Sequence, residues 1–174
     1  DTPLDAILSG NLMGAVSMLA STSVLLMLAV FTAFGNLSAL TVTLDAIGLS
    51  TGYTDVDLQV HLFVMLAMFA LSFFSFTLSL RQFNHFCIML GAMNHDGHTT
   101  EAEIEAIAQL NMLAARNFNN GIRAYYFSIG TVAWFANPWL AIAVSLVTAA
   151  VIVHREFFSS AHRVAASVAV LASR

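Results

Sequence analysis

The sequence predicts an all-α integral membrane protein: a helical bundle of four transmembrane helices, with an additional amphipathic helix on the cytoplasmic side. Of its 174 residues, 59% are hydrophobic and only 9% are charged, whereas a soluble domain carries about 25% charged residues. Uncharged runs recur that are long enough to cross the ~30 Å apolar layer of a bilayer at ~1.5 Å per helical residue. Residues 1–174 are therefore predicted to form a single membrane domain.

The first two spans are the clearest elements of the chain. Residues 11–34 contain no charged side chain, and residues 58–80 are almost continuously apolar. Between them, residues 35–57 form a loop without any arginine, of which part is apolar enough to lie on the membrane surface. Small side chains let helix backbones approach each other, so they predict the packing face of the first span. These small residues are Gly14, Ala15, Ser17, Ala20 and Ser21.

The region after the second span is predicted to leave the membrane and return to it. The second helix continues past the interface from Arg81 and breaks at Gly91. Thr100 and Glu103 then have the spacing of a capping box, which marks a helix start. Apolar residues recur at helical spacing after it, so residues 100–117 are predicted to form an amphipathic helix. This helix either lies at the interface or rises directly into the next span.

The Asn137-Pro138 pair interrupts a long apolar stretch, either as a kink within one helix or as a turn between two. The number of membrane spans depends on which of the two it is. Proline disfavours helical geometry in the preceding residue and suits the first position of a new helix. A turn divides the stretch into two spans, residues 118–136 and 138–158, each just long enough to cross. The Asn-Pro pair and the lengths of the two segments favour the turn.

The distribution of the six arginines favours the same solution. With a single kinked span, the chain crosses three times, and Arg155, Arg163 and Arg174 fall on the opposite side from the others. With a turn, all six lie on one side, as the positive-inside rule expects. We therefore predict four spans, a location in the bacterial inner membrane, both ends of this segment in the cytoplasm, and residues 159–174 as a cytoplasmic tail.

Several short stretches, in this order, resemble one known family. The stretches are Gly10-Asn11-Leu12, Ala20-Ser21-Thr22, Ser79-Leu80-Arg81-Gln82-Phe83-Asn84, Arg123-Ala124-Tyr125-Tyr126-Phe127, Trp134-Phe135 and Pro138-Trp139-Leu140. With them, the chain is similar to domain-of-unknown-function family 599, uncharacterised multi-pass membrane proteins of bacteria and plants. The resemblance implies a fold and no activity, and no catalytic residue is carried over. Family members usually have a further N-terminal hydrophobic segment, so we expect a fifth span before Asp1.

Polar residues on the cytoplasmic side suggest one candidate binding site. One group follows the second span and another precedes the third, and four spans would put both at the same membrane depth. Arginine matches phosphates and carboxylates with two parallel hydrogen bonds, so a lipid headgroup or another anion is the candidate ligand. The alternative is that the arginines anchor the topology and the amides cap helix ends. The candidates are Arg81, Gln82, Asn84, His85, Asn117, Asn119, Asn120 and Arg123.

The six histidines raise the possibility of a haem or metal site. On the predicted topology, His61 lies near the outer membrane face and His85 and His154 lie near the inner one, so His85 and His154 are the pair that could share a site, as two haem ligands or as part of a copper site. No cysteine, methionine or carboxylate joins them at a ligand spacing. We therefore predict no metal site and no cofactor, with haem as the alternative.

Composition and motifs leave three functional hypotheses. No catalytic motif is present, and six arginines spread along a chain of net charge -4 do not form a nucleic-acid surface. The first hypothesis is a non-catalytic accessory or scaffolding subunit, with the lipid bilayer and other membrane protein subunits as partners. The second is a small transporter or anionic-lipid-binding protein that uses Arg81 and Arg123. The third is a haem- or metal-binding membrane protein that uses His85 and His154.

Overall fold

The computed structural model describes residues 3–49, 52–92 and 100–157, and it is all-α. Five helices follow each other in these ranges, joined by short connections. The first and third are the two long apolar helices, and the short second helix lies in the loop between them. The helices are α1 (Pro3–Phe34), α2 (Leu37–Ala46), α3 (Asp55–Ala92), α4 (Glu101–Trp134) and α5 (Pro138–Phe157).

Within the described residues, three helical segments are long and apolar enough to cross a membrane: Gly10–Phe34, Asp55–Ala92 and Pro138–Glu156. The chain is therefore a membrane protein. The predicted number of four spans goes beyond this result, because α4 is not among the three. Asn117, Asn119, Asn120 and Arg123 lower the hydropathy of the part of α4 that the sequence suggested as a span.

The helices pack in chain order, α1 against α3, α3 against α4, and α4 against α5. Val30 near the end of α1 shares a buried cluster with Leu58 at the start of α3, so these two helices are antiparallel. Ser79 and Ser72 contact Ala114 and Gly121 in turn, so α3 and α4 are also antiparallel. The result is a bundle in which α4 lies between α3 and α5.

Buried residues recur every seven positions on the three helices that form the core. This period is the signature of helices that wind around each other with a left-handed twist. It is continuous along α3 and α4, so these two helices form an antiparallel coiled coil. The buried positions are Val16, Ser23 and Val30 on α1, Leu62, Phe69, Phe76 and Phe83 together with Ser72 and Ser79 on α3, and Ile107, Ala114, Gly121 and Ser128 on α4.

The small residues of α1 contribute less to this packing than expected. Ala20 is buried, but the neighbouring small residues at positions 14, 15, 17 and 21 are exposed. The contact face of α1 follows the seven-residue repeat through Val16, Ser23 and Val30 instead. Size alone therefore identified the wrong face of this helix.

A capping box starts α4, which is one continuous helix from Glu101 to Trp134. The hydroxyl of Thr100 accepts from the backbone N–H of Glu103 at 3.3 Å, and the Glu103 carboxylate accepts from the Thr100 N–H at 2.8 Å. These bonds lower the pKa of Glu103, the backbone N–H of Thr100 contributing most. The predicted amphipathic helix (residues 100–117) and the predicted third span (residues 118–136) therefore lie in one continuous helix.

The chain reverses direction at Asn137-Pro138. Helix α4 ends at Trp134, α5 begins at Pro138, and α5 runs back along α4. The side-chain oxygen of Asn137 accepts a hydrogen bond from the backbone N–H of Trp139 at 2.7 Å. Proline has no N–H to satisfy at the first position of a helix, which suits it to this place.

The bundle has two distinguishable ends. We call the end that holds α2, Trp134, Trp139 and the start of α3 the tryptophan end. We call the other, where α3 and α4 extend toward the segment that joins them, the arginine end, because Arg81, Arg116, Arg123 and Arg155 all lie away from the tryptophan end. At ~1.5 Å per residue, the 38 residues of α3 are about 57 Å long.

Candidate functional site: the polar contacts of α4

The face of α4 that packs on α3 is built from small residues and serine hydroxyls. Ser79 donates to the backbone carbonyl of Ala114 at 2.8 Å, and Ser72 donates to that of Gly121 at 3.2 Å. A Cβ atom at Gly121 would lie 2.5 Å from the ring of Phe76. Small residues on α4 thus bring the two backbones close enough for the serines to bridge them.

A further pair of amide side chains continues this contact toward the arginine end. Asn117 donates from Nδ2 to Oε1 of Gln82 at 2.8 Å, and both side chains are partly buried. The sequence placed these two residues in the same candidate site, and the structure brings them together. Their contact with each other is a helix-to-helix bond, as in many membrane bundles.

Arg123 lies on the other side of α4 and forms an ion pair with Glu156 on α5. Its guanidinium also lies 3.5 Å from the side-chain oxygen of Asn120, which accepts. Both charged side chains are 40% exposed. Sequence reasoning missed Glu156, although the turn at Asn137-Pro138, which makes α5 antiparallel to α4, brings it toward Arg123.

No contact joins Arg81 and Arg123 in the part of the chain that the structure describes. Arg81 is exposed on α3, whereas Arg123 pairs with Glu156 on α5. The hydrogen bonds of Ser72, Ser79 and Gln82 place Arg81 opposite residues 112–118 of α4, which is five to eleven residues, or about 8–16 Å, from Arg123. A shared anion site of the two arginines stays a prediction.

The remaining candidates of the predicted site are exposed on α3. Arg81, Asn84 and His85 lie on its surface beyond the Gln82–Asn117 pair. The predicted eight-residue cluster is therefore divided into an amide pair between α3 and α4, an ion pair between α4 and α5, and exposed side chains. Anion binding by any of these residues stays a prediction.

The two histidines considered as haem ligands lie on different helices. His85 is exposed on α3 and His154 is exposed on α5, and both helices pack against α4. Among the described residues there is no group of three or more histidines, cysteines or carboxylates that could hold a metal ion. Haem binding also stays a prediction.

A third histidine, His61, occupies an aromatic cage at the tryptophan end. It is only 3% exposed, and its ring packs against Trp134 at a tilt of 39°, with centroids 3.8 Å apart. Tyr53 packs edge-on against it, and the Tyr53 hydroxyl donates to the carbonyl of Trp134 at 2.8 Å. These aromatic rings cover the side chain of His61.

The hydrogen bonds of His61 are incomplete. Its Nδ1 lies 2.6 Å from the carbonyl of Asp57, and because a carbonyl only accepts, Nδ1 carries the proton. Nε2 has no hydrogen-bond partner in the part of the chain that the structure describes. His61 thus joins the start of α3 to the end of α4 mainly through the contacts of its ring with aromatic side chains.

Helix α1 is tied to α4 by hydroxyl groups. The hydroxyls of Ser23 and Tyr125 are 2.7 Å apart, and that of Tyr125 donates to the carbonyl of Leu19 at 3.0 Å. Tyr125 also packs against the rings of Phe69 and Phe76 on α3. A single side chain of α4 therefore contacts both other core helices.

The comparisons with known proteins place the chain in a family. No curated protein and no solved structure matches it. The family model described as "Protein of unknown function, DUF599" matches residues 2–161, which is most of the chain. The resemblance noted in the sequence is therefore confirmed, and the chain belongs to the DUF599 family of proteins of unknown function.

Proposed function

We propose that this protein is a non-catalytic subunit that helps to assemble a larger complex in the membrane. The observation that carries the proposal is the position of α5, an apolar helix that packs against a single neighbour, α4. The rest of its surface, including Trp139, Leu146 and Val147, is exposed. This exposed face of α5 is apolar and continuous, so a helix of a second membrane protein could pack against it.

The polar contacts of the bundle support the same role. The interhelical bonds described above, from Ser72, Ser79, Asn117, Tyr125 and Arg123, each join one helix of the bundle to another. Membrane helices associate through close packing and hydrogen bonds of this kind. These polar groups bond within the bundle and stabilise it. The apolar outer surface of the helices can then contact lipids or helices of a partner.

The proposal includes four spans with α4 as the third. Arg123 is the charged residue that opposes insertion of this part of α4, and Glu156 neutralises it across the α4–α5 contact. Arg81, Arg116, Arg123 and Arg155 all lie away from the tryptophan end, which holds Asp45, Asp55 and Asp57. This asymmetry supports an arginine end in the cytoplasm of a bacterial inner membrane.

Photo-crosslinking from α5 tests the assembly. We expect a photoreactive residue at Val147, which is 63% exposed, to form an adduct with one membrane protein that also co-purifies stoichiometrically in mild detergent. The matched control is Phe74 on α3, which is 62% exposed and is expected to form lipid adducts. Lipid adducts alone at both positions, with a monomeric particle in detergent, would overturn the proposal.

Cysteine labelling tests the topology. In a Cys87→Ser background, we expect Asn137→Cys to react with a membrane-impermeant maleimide applied from outside the cell, and Glu105→Cys to react only from the cytoplasmic side. Both positions are exposed and lie on opposite ends of α4. Labelling of position 137 from the cytoplasm alone would exclude four spans with this orientation.

A further inference from the structure

A half-open cavity at the tryptophan end lies between α2 and the residues at the start of α3. Its volume is about 290 Å³, and Thr41, Leu44, Asp45, Gly52, Tyr53 and Leu58 line it. Ligand sites in proteins range upward from about this size. The cavity therefore suits a small molecule or the headgroup of a lipid, and its lining decides which chemistry fits.

The ring of Tyr53 forms one wall of the cavity, and contacts with Trp134 and His61 hold this ring in place. Tyr53 cannot rotate freely, because its hydroxyl donates to the carbonyl of Trp134 and its ring packs edge-on against buried His61. His61 is in turn held by Trp134 and by the carbonyl of Asp57. A ring held in this way is organised before a ligand arrives, which lowers the entropic cost of binding.

The charge of the cavity comes from Asp45. In the described part of the chain, its carboxylate forms no hydrogen bond or ion pair, whereas the carboxylate of Asp57 already accepts from the N–H and the hydroxyl of Thr54. Residues 35–57 contain three carboxylates and no basic residue. The field at this end of the bundle is therefore negative, and a cation near Asp45 would be attracted.

We propose that this cavity binds an organic ammonium group, with Asp45 as its counter-ion and the ring of Tyr53 as its aromatic wall. A carboxylate and an aromatic face are the two features that recognise ammonium ions, through charge and through the cation–π interaction. Leu44 and Leu58 provide apolar surface for the carbon atoms next to the nitrogen. The ammonium is carried either by a free amine or by the headgroup of an ethanolamine or choline lipid.

Binding of ethanolamine and tetramethylammonium to the purified full chain, in nanodiscs of phosphatidylglycerol, tests the proposal. We expect saturable quenching of tyrosine and tryptophan fluorescence, and a loss of affinity of about tenfold in Asp45→Asn. Asp55→Asn is the matched control, because Asp55 is exposed at the same end but does not line the cavity. Its affinity should be unchanged.

The aromatic wall has its own test. Tyr53→Phe should keep most of the affinity, because the ring remains, whereas Tyr53→Leu should lose it. Equal losses in Asp45→Asn and Asp55→Asn would show a diffuse charge effect and overturn the proposal, as would the absence of saturable binding to both amines and lipids.

A second arm identifies the source of the ammonium. In nanodiscs that contain phosphatidylethanolamine, retention of that lipid in native mass spectra by the unchanged protein, but not by Asp45→Asn, would assign the cavity to a headgroup. Binding of the free amines without lipid retention would assign it to a soluble ligand. Either result supports the ammonium site.

Discussion

The two neighbours of α4 are held by different chemistry. Against α3, α4 presents buried and uncharged positions at seven-residue spacing, with Gly121 under Phe76 and serine bonds on either side. Against α5, it presents an ion pair that is partly exposed and one close approach, Gly130 to Ser145. The first contact therefore contains no charged side chain, whereas the second includes one ion pair that water can reach.

The largest loss of stability should come from a larger side chain at the close contact between α3 and α4. We expect Gly121→Ala to lower the free energy of unfolding by about 1–3 kcal/mol, the usual cost of overpacking, because its Cβ would overlap the Phe76 ring. Unfolding by SDS in mixed micelles measures the change.

Gly14→Ala is the matched control for this substitution. Gly14 is also helical, but a Cβ there meets nothing within 4 Å, so the substitution should be neutral or stabilise by up to about 1 kcal/mol. If both alanines had the same effect, the close approach of α3 and α4 would not limit stability.

A smaller effect is expected from the charge contact. A double-mutant cycle of Arg123→Gln and Glu156→Gln should give a coupling energy of about 1 kcal/mol, near the upper range for partly exposed pairs. The coupling should fall as salt concentration rises, since water reaches both side chains.

The neighbouring cation gives the control for this cycle. Arg155 precedes Glu156 and is exposed, and no ion pair is described for it. A cycle of Arg155→Gln with Glu156→Gln should give no coupling. Similar values in the two cycles would mean that Glu156 responds to the general positive field at this end.

The smallest effects belong to the serine bonds. Ser72→Ala and Ser79→Ala should each cost about 0.6 kcal/mol, the average for interhelical bonds in a membrane protein. Ser75→Ala on the same helix is the control, because no hydrogen bond is described for that side chain. Equal stability of all three variants in SDS unfolding would argue against a role for the Ser72 and Ser79 bonds.

The sequence was sufficient for the fold class and the long apolar helices, because burial in lipid leaves a strong compositional signal. It was less informative about which face of each helix packs. In α3, both the lipid-facing and the protein-facing positions are apolar, so the seven-residue period is hidden. The visible signal was the placement of Ser72 and Ser79 seven residues apart, opposite Gly121 and Ala114.

The candidate site was harder to predict, because it depends on the relative positions of the helices along the bundle axis. Gln82 and Asn117, which the sequence assigned to one binding site, form a hydrogen bond between α3 and α4. Ligand binding by this pair stays a prediction. Arg123 was grouped with Arg81 on the assumption that each marked a membrane surface. Their axial separation only appears once the register of α3 on α4 is known, and so does the match of Arg123 with Glu156.

The length of the α3–α4 coiled coil has a mechanical consequence. Helices of about 57 and 51 Å are both longer than the ~30 Å apolar layer of a bilayer. Each helix is continuous, and the two are joined at one end by the contact between the rings of His61 and Trp134. A force on the opposite end of the pair would therefore be transmitted to this contact along two unbroken helices.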